Sequence, residues 1–399
     1  MLSVYEGFFS GGARIVHSDI VLGLLEGGQD HRVLSVHGEV HREATRQRME
    51  DDACYRSLTS AGVAVSSLGR VHGVSAAFTG EELAETARVT AAADVILSLK
   101  EQPLALLNQA GLPRRPVVVC LHRSDPENQG EALEELKAAI ADGTVAACVC
   151  CAESTRAAYA AAGIPASLLH VIPNGVDLFR FRPDAARRVR LRAELGIPAD
   201  APVVVFAARY DGMKNVPLFV AAAGEFLRRE PDGQVLMCGA GMTEANAALA
   251  AELGLGVGAV DRGRLHLLGV RRDMETVYAA ADVVALTSAW GEAAPLCLIE
   301  GMMCGAVPVT TDVGDSAAIV TGHGIVTGWD PTEIAAAWME AAARRGELAP
   351  ILEASRERFS RTRMVASYAA LIESVVSGGG VLTTGQRTAE DPLADKEMW

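Results

Sequence analysis

Short apolar runs alternating with helical stretches constrain this chain more than any other feature. Residues 2–5, 33–36, 95–99, 117–121, 145–150 and 170–172 are such runs, bounded by Gly, Pro, Asp or charged residues, with Ala- or Leu-rich stretches between most of them. Uninterrupted apolar strands suit a parallel sheet covered on both faces, because a sheet with one wet face alternates apolar and polar residues. A second series of the same kind follows at 203–207, 235–238, 265–268, 283–286, 307–310 and 324–326. The expected fold is α/β: two Rossmann-like, doubly wound domains facing each other across a cleft. Ligands of such folds bind at the carboxyl ends of the strands, so the residues that follow each run are the ones to read.

Between 179 and 201 the apolar pattern gives way to a basic, proline-punctuated stretch through Pro183, Arg187, Arg188, Arg190, Arg192 and Pro198. That places an N-terminal domain over 1–180 and a C-terminal domain over 181–358. Residues 378–399, rich in Gly, Thr and acidic side chains, are expected to be a flexible tail. The formal net charge of −14 over 399 residues argues against a nucleic-acid binder, which needs a basic surface, but leaves room for a local cationic pocket. No apolar run approaches the ~20 residues of a membrane span. The N-terminus carries no basic leader, so a cytoplasmic location is expected. The eight cysteines show no zinc spacing and read as small buried hydrophobes, and no metal site is expected.

The first strand runs into Glu6-Gly7-Phe8-Phe9-Ser10-Gly11-Gly12-Ala13. Adjacent glycines before a helix permit close backbone approach to an anion. The spacing is not G-x-G-x-x-G, and the second strand ends in Val36-His37-Gly38 with no acidic residue for a dinucleotide ribose. The richest constellation follows the run at 283–286. Glu292 lies in a loop, Pro295 opens a helix, Glu300 falls in its second turn and Gly305 ends it. The free N–H groups at that helix start suit a phosphate, and flanking carboxylates suit sugar hydroxyls. A lone pair of Glu residues is usually surface charge. Here, though, other strand ends add Arg209 and Lys214, a diphosphate clamp by charge type, then Gly239-Ala240-Gly241, then Gly269-Val270. Only four of the 36 basic residues are lysines (Lys100, Lys137, Lys214 and Lys396), so a lysine inside a motif stands out.

Together these residues resemble a retaining glycosyltransferase of the GT-B fold, in the large group 1 or family 4 type that carries a Glu-x7-Glu signature. Val171-Ile172-Pro173-Asn174-Gly175-Val176-Asp177 resembles its interdomain entry, Arg209 with Lys214 its R-x4-K clamp, and 359–377 around Tyr368 its returning terminal helix. The resemblance implies transfer of a sugar from a nucleoside-diphosphate donor, a UDP-sugar favoured, with retention at the anomeric carbon and no further cofactor. Glu292 and His122 would act at the transferred sugar. Gly12, Arg209, Lys214, Gly239, Val270, Leu296 and Glu300 would hold the donor, with Glu300 at the ribose. Lys100 and Arg123 would face the acceptor, expected to be a soluble small molecule such as an aminocyclitol or other antibiotic precursor. The chain departs from the family at Ala293-Ala294, where Gly-Phe is usual, and at Arg123, where Asp often follows the histidine. The departure at Ala293-Ala294 keeps a non-catalytic nucleotide-sugar sensor or partner subunit open, and an epimerase on the same fold is a further alternative. The base, the donor sugar, the acceptor and the oligomeric state are not readable from these residues.

Overall fold

The computed structural model describes residues 1–9, 11–42, 45–73, 77–257 and 262–378, so all but the first residue of the expected tail lies outside it. The first sheet comprises β1 (Leu2–Gly7), β2 (Arg32–Arg42), β3 (Thr45–Arg48), β4 (Ala64–Val71), β5 (Ile96–Leu99), β6 (Val117–Leu121), β7 (Val145–Cys150) and β8 (Leu169–Val171). The second comprises β9 (Val203–Ala207), β10 (Gln234–Cys238), β11 (Leu265–Gly269), β12 (Val283–Leu286), β13 (Val307–Thr311) and β14 (Ile325–Thr327).

In the first sheet β2, β1, β5, β6, β7 and β8 lie side by side, with β3 and β4 both on β2. The second runs β11-β10-β9-β12-β13-β14. Every described pairing is parallel except the β2–β3 hairpin. In both sheets the chain builds outward in one direction and then returns to build in the other. The resulting crevices lie between β1 and β5 and between β9 and β12, where ligands of open α/β sheets bind.

Neighbouring residues along each strand enter different cores. Val204, Phe206, Met237 and Ala285 pack on one face of the second sheet, while Val205, Leu236, Val284 and Leu286 pack on the other. Both faces are therefore dry, which is why the strands read as continuous apolar runs. The sequence pattern missed β3 and β4. Ser66, Ser67 and Arg70 of β4 are only half-buried at the edge of the sheet, so that strand carries no apolar signature.

The basic stretch before the second sheet is the helix Ala185–Glu194, and its arginines serve structure. Arg188 and Arg192 donate to the two carboxylate oxygens of Asp282 at 2.7 and 2.8 Å, and the backbone N–H of Val203 donates to the same carboxylate at 2.9 Å. Buried Arg192 also donates to the carbonyls of Ala280, Pro198, Ala199 and Ala201. Removing one partner leaves an uncompensated buried charge. Asp282→Ala is therefore expected to lower stability by ~3–5 kcal/mol in urea unfolding, and a loss below ~1 kcal/mol would contradict the buried clamp.

The helix Arg361–Val376 crosses back to the first sheet. Its Met364, Tyr368, Leu371 and Ile372 pack with Val16, Ile20 and Leu24 of the helix Gly12–Glu26. At the crossing, Val176 donates to the Phe359 carbonyl at 2.8 Å and Arg361 to that of Val176 at 2.9 Å. A Cβ on Gly175 would lie 2.4 Å from the Ser360 carbonyl oxygen, so only glycine permits this approach.

Candidate active site

The crevice of the second sheet is bridged by an ion pair. Lys214, which ends the short turn Gly212–Lys214 after β9, donates through Nζ to Oε1 of Glu292, in the loop after β12. Ser288 donates to the same oxygen at 2.5 Å. The scaffold behind them is tied together: Ala289 N–H donates to the Met213 carbonyl at 2.9 Å, the Thr287 hydroxyl to the Lys214 carbonyl at 3.2 Å, and Thr311 to the Ser288 carbonyl at 2.7 Å. Arg209 lies on the same rim and donates through Nε to Asp211 at 2.8 Å, while its terminal nitrogens make no hydrogen bond among the described residues.

Glu292 leads directly to the helix Leu296–Met303, which starts after Pro295 with no side-chain cap. The helix Gly12–Glu26 likewise starts without one. The two starts face each other across the cleft, for a Cβ on Gly12 would lie 3.4 Å from Leu296 Cδ1. Two uncapped helix N-termini together with Arg209 and Lys214 form an electropositive focus. Glu300, in the second turn, is buried rather than a surface charge, and burial pushes its carboxyl up to about 7, against the opposing hydrogen bond from the Tyr278 hydroxyl.

The first sheet supplies the opposite wall. His122 follows β6, and burial, with Lys100 nearby, pushes its imidazole down to about 3, so it is neutral. Its Nε2 is buried without a hydrogen-bond partner among the described residues. Lys100 follows β5 in a left-handed backbone conformation at φ 68°. Asn215, next to Lys214, is the other non-glycine with positive φ among the described residues. Such backbone strain collects at functional sites, and here both instances fall at the crevices.

Arg123, where the family often has Asp, is held by the Asp125 carboxylate, with Nε at 2.6 Å, and lies against Gly291. Ala293 and Ala294 pack against Cys151 and Ala152 of the first domain. Three polar ties accompany this contact. The Ser124 hydroxyl donates to the Glu292 carbonyl, Asn174 donates to the Ala294 carbonyl at 3.0 Å, and Asp315 accepts from the N–H groups of Glu153 and Ser154 at 2.9 and 2.8 Å. Asp315 thus caps, from across the cleft, a helix whose own N-cap residue is alanine. Both departures from the family pattern therefore lie at the contact between domains.

Two other expected residues complete the strand ends of the second sheet. Val270 follows β11 and is 68% exposed. At Gly239 a Cβ would lie 2.0 Å from the Ala208 carbonyl oxygen. The glycine accommodates the protein's own backbone beneath Arg209. Sequence reasoning missed Ser288, Ser124 and Asp315, because single polar residues in loops carry no spacing signal. Among the described residues no cluster of His, Cys, Asp or Glu could hold a metal ion, and no helix is long and apolar enough to cross a membrane.

Residues 10–180 match the family model described as Glycosyltransferase Family 4, and residues 201–344 the one described as Glycosyl transferases group 1. A D-inositol 3-phosphate glycosyltransferase of Xylanimonas cellulosilytica is 35% identical over 245 residues, which is 59% of this chain and 57% of that protein. One of the same name from Corynebacterium jeikeium is 33% identical over 175 residues, 39% of this chain and 40% of that one. The chain thus spans less than two thirds of these relatives' length. Among solved structures, Anabaena Alr3699/HepE in complex with UDP superposes at a TM-score of 0.76 with 21% identity, covering 94% of this chain and 99% of that one. Sucrose-phosphate synthase from Thermosynechococcus elongatus superposes at 0.69 with 18% identity, covering 94% and 99%. With two such domains, each matched by a glycosyltransferase family model and together matched over most of the chain, the protein belongs to the group 1 glycosyltransferases of the GT-B fold.

Proposed function

We propose that this protein transfers a sugar from a nucleoside-diphosphate donor to a hydroxyl of a small polar acceptor, with retention at the anomeric carbon. The observation that carries this reading is the Lys214–Glu292 pair, set in the second sheet's crevice opposite Gly12 and beside an uncapped helix start. In this reading Lys214, the terminal nitrogens of Arg209 and the helix N–H groups take the diphosphate. They stabilise the charge that develops as it leaves. The Glu292 carboxylate is engaged by Lys214 and Ser288, which makes it a hydrogen-bond acceptor for sugar hydroxyls and a poor nucleophile. A double displacement through an enzyme carboxylate is then disfavoured. Attack occurs on the face the diphosphate leaves, with a phosphate oxygen taking the acceptor proton. Neutral His122 presents its unpartnered Nε2 to the sugar.

The complexes of Alr3699/HepE with UDP and UDP-glucose make UDP the first nucleotide to test, and the names of the curated relatives make inositols the first acceptors. Product made from an α-linked UDP-sugar is expected to be α-linked by the anomeric proton coupling in NMR, and a β-linked product would contradict the mechanism.

Glu300 adds a pH signature. Its raised carboxyl means that the folded protein holds a proton the unfolded chain has released between about pH 4.5 and 7, so its contribution to stability falls as pH rises through that window. Accepting ribose hydroxyls favours the ionised form, so donor affinity rises over the same window. UDP-glucose, whose diphosphate does not titrate there, is expected to bind about tenfold more weakly at pH 6 than at pH 8 by calorimetry. Glu300→Gln is expected to flatten that profile. A wild-type profile already flat would contradict the ribose role.

A further inference from the structure

A cavity of about 300 Å³ opens at the carboxyl edge of the first sheet, lined by Glu6, Val36, His37, His72, Gln102 and Pro103 among others. It lies at the crevice between β1 and β5, the counterpart of the one that holds Lys214 and Glu292. Here too an ion pair spans the crevice, with Lys100 Nζ 3.8 Å from Glu6 Oε2.

The polar groups of this cavity are unbalanced in kind. His37 Nδ1 lies 2.6 Å from the Glu6 carbonyl oxygen, which places its proton there and leaves Nε2 as an acceptor. Gln102 spends an N–H on Gln129 at 3.2 Å, while its Oε1 is buried with no partner among the described residues. Cations described near the cavity face carboxylates: Lys100 and, when protonated, His72 face Glu6, Arg123 faces Asp125 and Arg70 faces Glu82. Beyond these pairs the described lining offers a ligand the His37 and Gln102 acceptors and the Glu6 carboxylate, beside one unpartnered ring nitrogen of His72. Hydroxyl hydrogens satisfy such groups. A phosphate dianion brings only acceptors, finds no surplus cation among the described residues and meets the Glu6 carboxylate.

We infer that this cavity is the acceptor subsite for an unphosphorylated polyol, and that Glu6 is the residue that excludes phosphorylated ones. This rests on the transferase reading above and deepens it by naming the acceptor class. Exclusion by a like charge is how such a site discriminates between ligands of equal shape.

The test is ligand-observed NMR titration of the UDP-saturated protein with two matched pairs, myo-inositol and glucose, each against its monophosphate. At least one unphosphorylated polyol is expected to bind about tenfold or more tightly than its phosphate. Glu6→Gln is expected to bring that ratio close to one while UDP affinity stays unchanged. Preference for the phosphates, absence of binding in both pairs with UDP bound, or an unchanged ratio in Glu6→Gln would each overturn the assignment. Failure of UDP itself to bind the wild-type protein would instead contradict the donor reading, and the acceptor assignment would fall with it.

Discussion

Lys214→Ala is expected to weaken UDP binding by about 100-fold, at the upper end of what a hydrogen bond to a charged group is worth. The same substitution acts on the empty protein. Glu292 is only 6% exposed, and without Lys214 its carboxylate is buried beside a single hydroxyl. Breaking such a pair from one side costs ~3 kcal/mol or more, so the variant should also unfold at lower denaturant concentration. The two effects separate in the double variant Lys214→Ala with Glu292→Gln. With the unpaired charge removed, most of the lost stability should return, because a neutral amide costs less to bury than a lone carboxylate. UDP affinity should stay low. Calorimetry and urea unfolding on the three proteins check this, and wild-type UDP affinity in Lys214→Ala would remove the clamp assignment.

Gly314→Ala is expected to be nearly as damaging, although the residue carries no chemistry. Gly314 has φ 62°, and a Cβ there would lie 2.2 Å from the Glu292 carbonyl oxygen and 3.1 Å from Ala293 Cα. That carbonyl is the one that accepts from Ser124 of the other domain, and the next residue, Asp315, caps the helix Glu153–Ala161. Neither neighbour is a flexible side chain that can swing away, so the loop carrying Glu292 must shift. Misplacement by about 1 Å costs on the order of 100-fold in rate where catalysis depends on positioning. The expected result is a kcat/KM about 100-fold below wild type. A stability loss of ~1–3 kcal/mol from the strained backbone should accompany it. Activity within about threefold of wild type would show that this loop tolerates displacement and that Glu292 is not held for catalysis.

Much of this site was legible in the sequence because it is assembled from strand ends. Continuous runs such as 203–207 and 283–286 identify buried parallel strands, and the fold rule then directs attention to Lys214 and Glu292. The scarcity of lysine sharpened that reading, and it also brought out Lys100, whose ion pair spans the other crevice. Three kinds of feature were not legible. Edge strands such as β4 are half-wet, so periodicity does not mark them. Contacts across the cleft, such as Asp315 on the helix at Glu153, join residues far apart in the chain without any spacing rule. Burial is not local either: Glu300 looks like any helical glutamate until Tyr278 and the neighbouring core are in place. Glycine is ambiguous for the same reason, since Gly239 and Gly314 each make room for the chain's own backbone, a constraint that spacing alone does not reveal.

The most direct test of the account is calorimetric titration of UDP and GDP into the wild-type protein at pH 8. The account predicts one saturable site per chain for at least one of these nucleotides, and competition at that site from the corresponding nucleotide sugar. Absence of binding by both nucleotides would contradict the proposed donor site.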